Sequence, residues 1–505
     1  MLAGLSLTIT SCDMDQMPHN AIPTDKSWEQ VSDAEKFRTG LYSYYQGANG
    51  GTYYYSPDLQ SDLFNALKGF GNNGGQMHKW SFDASDGDTS SFWSVRYGCI
   101  SAANNIINNI EKLEPANNLE EAYLEVTLGD AYLIRAICYH ELALRFAKDY
   151  EPGTTEPGLP LVTAVDVNEK PSRSTLEETY EFILQDIDAA LPLLDKGQQT
   201  LYALYTQLSS EGAAGKIKAN IATYYLNDFY LSGDAAKVLK ARVLLYMHKF
   251  DEAAQLAESL ISAGDYPLST SEDSYKAMWV NDEGSEIIFR TFSSVSERAN
   301  PIPHYMMYST ASKKFSPYYI PNQATLDLYE EADLRSKVFF TSEEIKVETV
   351  DATVFLFTKF PGNPELKKAD EDRYHMFKPF RIAEMYLIAA EANYQAGKVA
   401  AAQKALNDLR KGRGASAIES AGEALFTEIQ NEWIREFIGE GRRLEDLKRW
   451  HQGLDRSNKP VQNEEAIVSG DTYEKLKIDA NDMKFVWEVP MNDQRANPNL
   501  KPNWK

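Results

Sequence analysis

The chain of 505 residues has a formal net charge of −23, a hydrophobic content of 43% and 29 tyrosines. Its length and apolar content are those of a globular protein with a substantial core. The negative charge argues against nucleic acid as a partner and against basic contacts with an anionic membrane, because phosphate groups would be repelled. Three cysteines without a CxxC spacing exclude a disulfide framework.

The first twelve residues form a short apolar segment that ends in small residues and a cysteine. The run Ile9-Thr-Ser-Cys12 fits a bacterial lipobox, in which the signal is cleaved and the cysteine is lipidated. We therefore expect residues 1–11 to be a lipoprotein signal segment, and residues 12–23 to be a polar tether that begins at the lipidated Cys12. The alternative is that Cys12 is a free thiol in a frayed terminus.

Beyond the tether, apolar residues recur with a helical period at residues 24–45, 92–113, 120–146 and 175–194. Residues 49–91 are rich in Gly, Asn and Asp and are predicted to be irregular. Two apolar runs, 286–292 and 354–360, predict short strands. An aromatic and proline-rich loop is expected at 300–321, between these strands.

Two segments, 234–264 and 380–412, have the pattern of a helical hairpin with one small residue on each arm. Each places two alanines twelve positions apart: Ala241 with Ala253, and Ala390 with Ala402. Small residues let paired helices approach closely, which is the arrangement of a tetratricopeptide unit. No clean linker divides the chain. We therefore predict a mainly α fold over 24–505, a single scaffold of tetratricopeptide-like hairpins with long loop and short-strand insertions.

The segment Glu432–Trp450 is dense in both carboxylates and guanidiniums. Such a density is typical of a partly buried lattice of ion pairs and hydrogen bonds that locks helices together. The alternative is that Glu440, Glu445 and Asp446 include an acid/base pair for glycoside cleavage. Flanking arginines would keep these carboxylates ionised, which favours the structural interpretation.

The same segment resembles the signature of the SusD/RagB family, the starch-utilisation type outer-membrane nutrient-binding lipoproteins of Bacteroidetes. The matching residues are Glu432, Glu436, Phe437, Glu440, Gly441, Arg443, Asp446, Leu447, Arg449 and Trp450. The stretch from Arg381 to Ala392 and the tail from Pro490 to Leu500 are also similar to the family pattern. The chain departs from that pattern at Trp433, where the family has arginine, and in its ending, Lys501–Trp504.

The resemblance implies a cofactor-free scaffold that packs as a lid on a SusC-like TonB-dependent transporter. Such a protein is not an enzyme: it captures glycan, or sometimes peptide, at the cell surface for import through the outer membrane. It would contact the membrane only through the lipid on Cys12, and Asp13 and Asp15 are similar to the acidic export signal of this lineage. In the family, the glycan is held by aromatic side chains of loops outside the tetratricopeptide units.

A sugar ring stacks its C–H face on an aromatic side chain, while its hydroxyl groups need polar partners. The candidate glycan contacts are therefore aromatic residues of the irregular segments and one carboxylate: Trp80, Trp93, Tyr305, Tyr308, Tyr318, Tyr319 and Asp62. Tyr53–Tyr55 and Phe92 belong to the same aromatic clusters. The competing interpretation of each residue is ordinary packing, and the helical register of Trp93 suits the core.

The remaining alternatives concern metals and other functions. The seven histidines form no HxH or HExxH pair, so no zinc site is expected. Residues 83–88 carry the oxygen-bearing side chains of a calcium loop without its full spacing, and a solvated turn is the alternative. The rival functions are a glycoside hydrolase and a protein-interaction scaffold without glycan affinity.

Overall fold

A computed structural model describes residues 27–51, 57–70, 73–164, 168–211, 215–297, 317–367, 373–457, 459–468 and 476–504. The predicted signal segment, the lipidated Cys12 and the tether lie outside these residues. Tyr53–Tyr55, Tyr305 and Tyr308 lie outside them as well. Within the described part of the chain, no helix is both long enough and apolar enough to cross a membrane.

Helices dominate the structure, which confirms the predicted mainly α class. Those with described bounds are α1 (Val31–Ala48), α2 (Gly75–His78), α3 (Gly87–Ile107), α4 (Asn118–Phe146), α5 (Leu176–Ser210), α6 (Lys216–Tyr224), α7 (Gly233–Tyr246), α8 (Phe250–Ala263), α9 (Glu272–Val280), α10 (Gln323–Leu326), α11 (Leu334–Phe339), α12 (Ile382–Gln395), α13 (Val399–Gly412), α14 (Gly422–Phe437), α15 (Arg443–Arg449) and α16 (Met491–Ala496). Short 3-10 turns lie at Ile110–Lys112, Pro364–Leu366 and Met483–Phe485. The four helices predicted first along the chain correspond to α1, α3, α4 and α5.

Local sequence explains where the long helices begin. The Asp86 carboxylate accepts hydrogen bonds from two backbone N–H groups in the first turn of α3. Thr175 opens α5 with a capping box: its hydroxyl accepts from the backbone of Glu178, whose carboxylate accepts from the backbone of Thr175. The sequence predicts this start, but α5 continues to Ser210, well beyond the predicted end at Leu194.

The helices pack as pairs that stack on one another. The pairs are α1 with α3, α4 with α5, α7 with α8, and α12 with α13; α8 also packs directly on α12. The two predicted hairpins are therefore confirmed, and they are neighbours in space. Their four alanines are fully buried, as the predicted close approach requires: Ala241, Ala253, Ala390 and Ala402.

The pair α4–α5 is tight because glycine lets the two helices touch. A Cβ atom on Gly197 of α5 would lie 2.6 Å from Cγ2 of Val126 on α4, a distance that real Cβ contacts do not show. The contact lies beyond Leu194, so α5 still packs on α4 past its predicted end. The last turns of α5 are thereby placed beside α6, which they contact.

The strands of the described residues pair two by two in antiparallel fashion. β1 (Phe64–Ala66) pairs with β3 (Tyr319–Pro321), β2 (Ile287–Phe289) with β6 (Phe380–Arg381), β4 (Phe340–Val347) with β5 (Val350–Phe357), and β7 (Leu454–Asp455) with β8 (Lys477–Ile478). The two predicted strands correspond to β2 and β5. The prediction of a loop through residue 321 is wrong at β3, and β4 was not predicted because its charged residues hide the alternation.

Helix α14 lies between two apolar clusters. Trp433 and Phe437 pack in the main core that the helical pairs enclose. Ile434 and Ile438 pack in a second cluster together with Trp279, Phe340 of β4 and Phe357 of β5. Two carboxylates of the family-like signature, Glu432 and Glu436, belong to this helix, and both are fully buried.

Candidate functional site

Trp80 does not offer an open face. Its side chain is 4% exposed, its ring meets Phe485 edge-on at a centroid distance of 4.8 Å, and its Nε1 donates a hydrogen bond to the carbonyl oxygen of Gln60 at 2.7 Å. A buried indole whose N–H is satisfied is a packing residue. The expectation of an exposed platform at Trp80 is therefore wrong.

Trp93 and Asp62 are also occupied by the fold. Trp93 is 3% exposed and packs edge-on against Phe146 in the core, as its helical register suggests. Asp62 is buried and forms ion pairs with Arg443 at 2.8 Å and Lys459 at 2.6 Å. Burial alone would raise the pKa of Asp62, but the two cations hold it well below its usual range. Neither side chain is open to a sugar.

Two of the four predicted tyrosines, Tyr318 and Tyr319, lie within the described part of the chain. Tyr319 is fully buried on β3, and its hydroxyl donates to the carbonyl oxygen of Asn73 at 2.7 Å. Tyr318 is half-buried against the second apolar cluster. Tyr305 and Tyr308 lie outside the described residues, so their assignment as glycan contacts stays a prediction.

The charged segment Glu432–Trp450 forms the predicted lattice. Glu436 is fully buried and accepts from Arg381 at 2.7 Å, from Arg413 at 3.0 Å and from Arg335 at 3.2 Å. Burial opposes its ionisation, yet these guanidiniums lower the pKa of Glu436 well below its usual value. Three arginines on three different elements are held by one carboxylate, so this group joins α11, β6, α13 and α14.

The three carboxylates considered as an acid/base pair belong to the same lattice. Glu440 pairs with Lys359 at 2.7 Å and with Arg381 at 2.6 Å; Glu445 pairs with Arg145, and Asp446 with Arg449 at 2.9 Å. All three carboxylates are buried. These ion pairs agree with the structural interpretation. At Asp446, however, burial outweighs Arg449 and raises the pKa to about 6, so the flanking arginines do not hold this carboxyl at its ordinary value.

The carboxylates of Asp83 and Asp86, in the oxygen-rich segment 83–88, accept hydrogen bonds from nearby groups of the protein. Asp83 accepts from the backbone and hydroxyl of Ser85, at 2.8 and 2.6 Å, and Asp86 caps α3. The turn interpretation explains both carboxylates.

Among the described residues, Asp149, Glu151 and His451 lie close enough to share a cation. Two of the three are exposed, and an imidazole between two carboxylates is sufficient to account for the cluster.

An aromatic cavity of about 610 Å³ lies between α1, α6 and the chain that follows β2. We call it the α1 cavity; its lining includes Thr39, Tyr42, Ser43, Gln46, Tyr224, Asn227, Phe229, Tyr230, Phe289, Phe292 and Glu297. Thr39, Ser43 and Gln46 have the spacing of one helical face, so α1 presents hydroxyl and amide groups. Aromatic residues come from α1 itself, through Tyr42 and Tyr45, and from the other walls. Tyr224 is 48% exposed and Phe292 is 45% exposed.

The walls of the α1 cavity are held in place by buried contacts. Arg38 of α1 donates to Asp130 of α4 at 2.6 Å and to the carbonyl oxygen of Tyr224 at 2.7 Å. Its guanidinium lies 4.4 Å from the ring centre of Tyr225 and 4.3 Å from that of Tyr230. Gln46 donates through Nε2 to the hydroxyl of Ser293 at 3.1 Å, which ties the chain after β2 to α1. The cavity is therefore preformed.

The electrostatics of the α1 cavity suit an uncharged ligand. Burial raises the pKa of Tyr42 and of Tyr230, so both phenols stay neutral near pH 7. Glu297, at the exposed rim, is the charged residue among its described lining residues. Aromatic faces opposite neutral hydrogen-bonding groups match the two surfaces of a sugar ring. Sequence reasoning missed this site, although the run Tyr224-Tyr225 followed by Phe229-Tyr230 was a visible aromatic signal.

Two family descriptions match the chain. Residues 298–504 match a family described as the SusD family, and residues 14–222 match one described as starch-binding associating with outer membrane. A curated relative, the SusD-like protein P38 of Formosa agariphila, is 23% identical over 452 residues, which are 81% of this chain and 78% of the relative.

Solved structures share the fold along nearly the whole chain. A SusD superfamily protein from Bacteroides thetaiotaomicron gives a TM-score of 0.75 at 24% identity and covers 94% of this chain and 100% of its own. A putative sugar binding protein from Bacteroides vulgatus gives a TM-score of 0.73 at 23% identity, with coverages of 95% and 99%. Surface glycan-binding protein A from Bacteroides uniformis gives a TM-score of 0.70 at 16% identity, with coverages of 94% and 99%.

Proposed function

This chain belongs to the SusD family, and from that premise we propose that it is a non-catalytic protein that captures neutral oligosaccharides at the cell surface. The observation that carries the proposal is the α1 cavity, in which exposed aromatic faces stand opposite uncharged hydroxyl and amide groups. The names of the relatives support the same class of ligand, since they include a starch-binding description and a surface glycan-binding protein.

The chemistry of the α1 cavity assigns a role to each wall. Tyr224 and Phe292 offer the half-exposed faces on which the C–H side of a sugar ring would stack. Ser43 and Gln46 would hydrogen-bond the ring hydroxyls, and the Oε1 atom of Gln46 remains available for this because its hydrogen bonds inside the protein are donated by Nε2. The net charge of −23 disfavours strongly anionic glycans.

The proposal extends to place and partner. We propose that Cys12 carries the lipid, that the protein lies on the outer face of the outer membrane, and that it delivers its ligand to a SusC-like TonB-dependent transporter. The family description that mentions association with the outer membrane supports this arrangement. Labelling with a radioactive or clickable fatty acid tests the anchor: Cys12→Ala should abolish incorporation, and affinity purification from membranes should recover the transporter. Tyr305 and Tyr308 remain proposed contacts of the ligand.

The binding proposal is tested with purified protein and neutral polysaccharides such as starch, laminarin, xylan and galactomannan. We expect calorimetry or affinity electrophoresis to detect binding of at least one polymer, and Tyr224→Ala and Phe292→Ala each to weaken it by about tenfold, which is about 1.4 kcal/mol. Tyr44→Ala is the matched control, because Tyr44 lies on α1 and is 59% exposed but does not line the cavity.

The same experiment separates the rival functions. Release of reducing ends from the bound polymer would favour a glycoside hydrolase, whereas binding without release removes it. No binding to any glycan, together with a tight complex with the transporter, would favour a pure interaction scaffold. Equal affinity of the Tyr224, Phe292 and Tyr44 variants would move the ligand away from the α1 cavity.

A further inference from the structure

A second aromatic cavity lies on the other side of the chain segment that forms one wall of the first. It has a volume of about 660 Å³, and we call it the α5 cavity because the last turns of α5 line it. Its lining includes Gln198, Gln199, Tyr202, Tyr205, Tyr225, Leu226, Asn227, Tyr230 and Tyr266, together with the carboxylates of Asp195 and Asp228. Asn227 and Tyr230 line both cavities. The two cavities are therefore adjacent, and residues 225–230 form a ridge between them.

The α5 cavity shares aromatic and amide groups with the α1 cavity, and it adds the carboxylates of Asp195 and Asp228, of which Asp228 is paired with Arg290. Tyr202 is 64% exposed, and Tyr205 lies one helical turn further along α5 on the same side. Gln199 is exposed, and Gln198 donates its Nε2 to the carbonyl oxygen of Leu231 at 3.0 Å, so its Oε1 can accept from a ligand. Exposed phenol rings beside amide groups are again the two kinds of surface that a sugar needs.

The ridge is fixed rather than left to order on binding. Asn227 donates to the carbonyl oxygen of Ala222 at 3.3 Å and accepts from the backbone of Phe229 at 2.9 Å. Arg290 forms an ion pair with Asp228 at 2.9 Å, and its backbone N–H donates to the carbonyl oxygen of Asp228, also at 2.9 Å. A preformed ridge saves a ligand that touches both sides the entropy of ordering the protein.

The ring of Tyr225 anchors the ridge from below. It stacks on Tyr123 of α4 at a centroid distance of 4.6 Å, and its hydroxyl donates to Glu35 of α1 at 3.0 Å. The guanidinium of Arg38 lies over the same ring. The ridge is thus bound to two helices of the scaffold, and the spacing between the two cavities is set by the scaffold.

We propose that the two cavities are subsites of one binding surface, and that the ligand is a linear neutral oligosaccharide that crosses the ridge. One end stacks on Tyr224 and Phe292 in the α1 cavity, and the other stacks on Tyr202 in the α5 cavity. This inference rests on the proposed function, to which it adds a second subsite, the α5 cavity, and therefore a ligand long enough to reach both cavities. Occupation of the second subsite by an already bound chain is intramolecular, so affinity rises steeply once the chain is long enough to reach it.

The test uses size-fractionated oligosaccharides of one to eight units, prepared from whichever polymer of the panel the wild-type protein binds. Calorimetry should show low affinity for the shortest chains and a rise of about tenfold or more at the length that reaches both cavities. Tyr202→Ala should remove this rise, so that long chains bind no more tightly than short ones. Tyr224→Ala should weaken the binding of short and long chains alike, and Tyr44→Ala should change neither.

Three results would overturn the inference. A wild-type affinity that does not depend on chain length, or a Tyr202→Ala variant with full affinity for long chains, would reject the second subsite while the proposed glycan binding stands. Failure of the wild-type protein to bind any polymer would reject the proposed function and this inference together. The side chains of Tyr202, Tyr224 and Tyr44 are 64%, 48% and 59% exposed, so replacing them should not unfold the protein. A melting temperature near that of the wild type for each variant would show that the comparison is between folded proteins.

Discussion

The charged segment Glu432–Trp450 and the ridge at residues 225–230 differ in how the fold uses their distinctive residues. In the charged segment, Glu432, Glu436, Glu440 and Glu445 are buried and paired with cations of other elements. At the ridge, Tyr225 packs against Tyr123 of α4, whereas Tyr230 lines both cavities. The charged segment, which is conspicuous in the sequence, holds the helices together, whereas the less conspicuous aromatic ridge forms a surface that a ligand can reach.

The comparison is tested most strongly at the centre of the charged lattice. Glu436→Gln removes the charge that balances Arg335, Arg381 and Arg413, so buried guanidiniums are left without compensation. We expect a loss of about 3–5 kcal/mol in the free energy of unfolding, measured by chemical denaturation. Asp408→Asn, in the exposed i,i+4 pair with Lys404, is the control and should change this free energy by less than about 0.5 kcal/mol. A small effect at Glu436 would mean that the lattice does not hold the frame.

Trp80 sharpens the comparison, because it was predicted for the ligand surface and lies in the interior. Trp80→Ala should lower the free energy of unfolding by about 3 kcal/mol, since it empties a packed site and removes the hydrogen bond to Gln60. The folded fraction of the Trp80→Ala protein should bind glycan with the affinity of the wild type. Lost affinity with unchanged stability would return Trp80 to the ligand surface.

The pH dependence of the lattice gives a further test. Burial raises the pKa of Glu432, but Arg335, Arg435 and Arg410 outweigh it and lower the value to about 2. Because this folded-state pKa lies below that of the unfolded chain, the ionised form stabilises the protein above about pH 4.5, and the stabilisation is lost as the pH falls toward 2.

The measurement is the difference in unfolding free energy between the wild type and Glu432→Gln, since glutamine resembles the protonated acid. The difference should be constant from pH 7 to about pH 5 and should shrink by on the order of 2–3 kcal/mol as the pH falls toward 2. A difference that stays constant down to pH 3 would show that Glu432 is not held by these guanidiniums.

The smallest expected effect is on the ligand side of the comparison. A neutral ligand in a cavity with neutral walls should respond little to screening, so raising the salt concentration from about 0.05 M to about 0.5 M should change the glycan Kd less than about twofold. Glu297→Gln should have an equally small effect, because Glu297 lies at the exposed rim. A strong salt dependence would indicate a charged ligand and would contradict the proposed class.

Much of the frame could be predicted from sequence, because its determinants are local. The hairpins α7–α8 and α12–α13 follow from helical periodicity and small residues at fixed spacing, and the start of α5 follows from Thr175 and Glu178. The lattice follows from the density of charge in one segment. The end of α5 was predicted too early, because packing beyond Leu194, such as that of Gly197 on α4, is a tertiary contact that the local sequence does not display.

The site was less predictable, because exposure is a tertiary property. Trp80 and Tyr224 both lie in stretches of sequence rich in aromatic residues. Phe485 covers the ring of Trp80, whereas Tyr224 borders the α1 cavity. The α1 cavity combines residues from α1, α6 and the chain after β2, so no single stretch of sequence contains its pattern. Asp62 is a similar case, since its partners Arg443 and Lys459 are far away along the chain.

Arg38 has a consequence for how the molecule opens. One side chain joins Asp130 of α4 to the backbone of Tyr224 and lies over the rings of Tyr225 and Tyr230, so the ridge cannot leave its place without exposing a buried ion pair. The ridge and the helices α1 and α4, which Arg38 and Asp130 join, should therefore behave as one cooperative unit. In hydrogen exchange, the hydrogen-bonded amides of Tyr225, Phe229 and Leu231 should then exchange as slowly as those of α4, although they belong to a connection between helices.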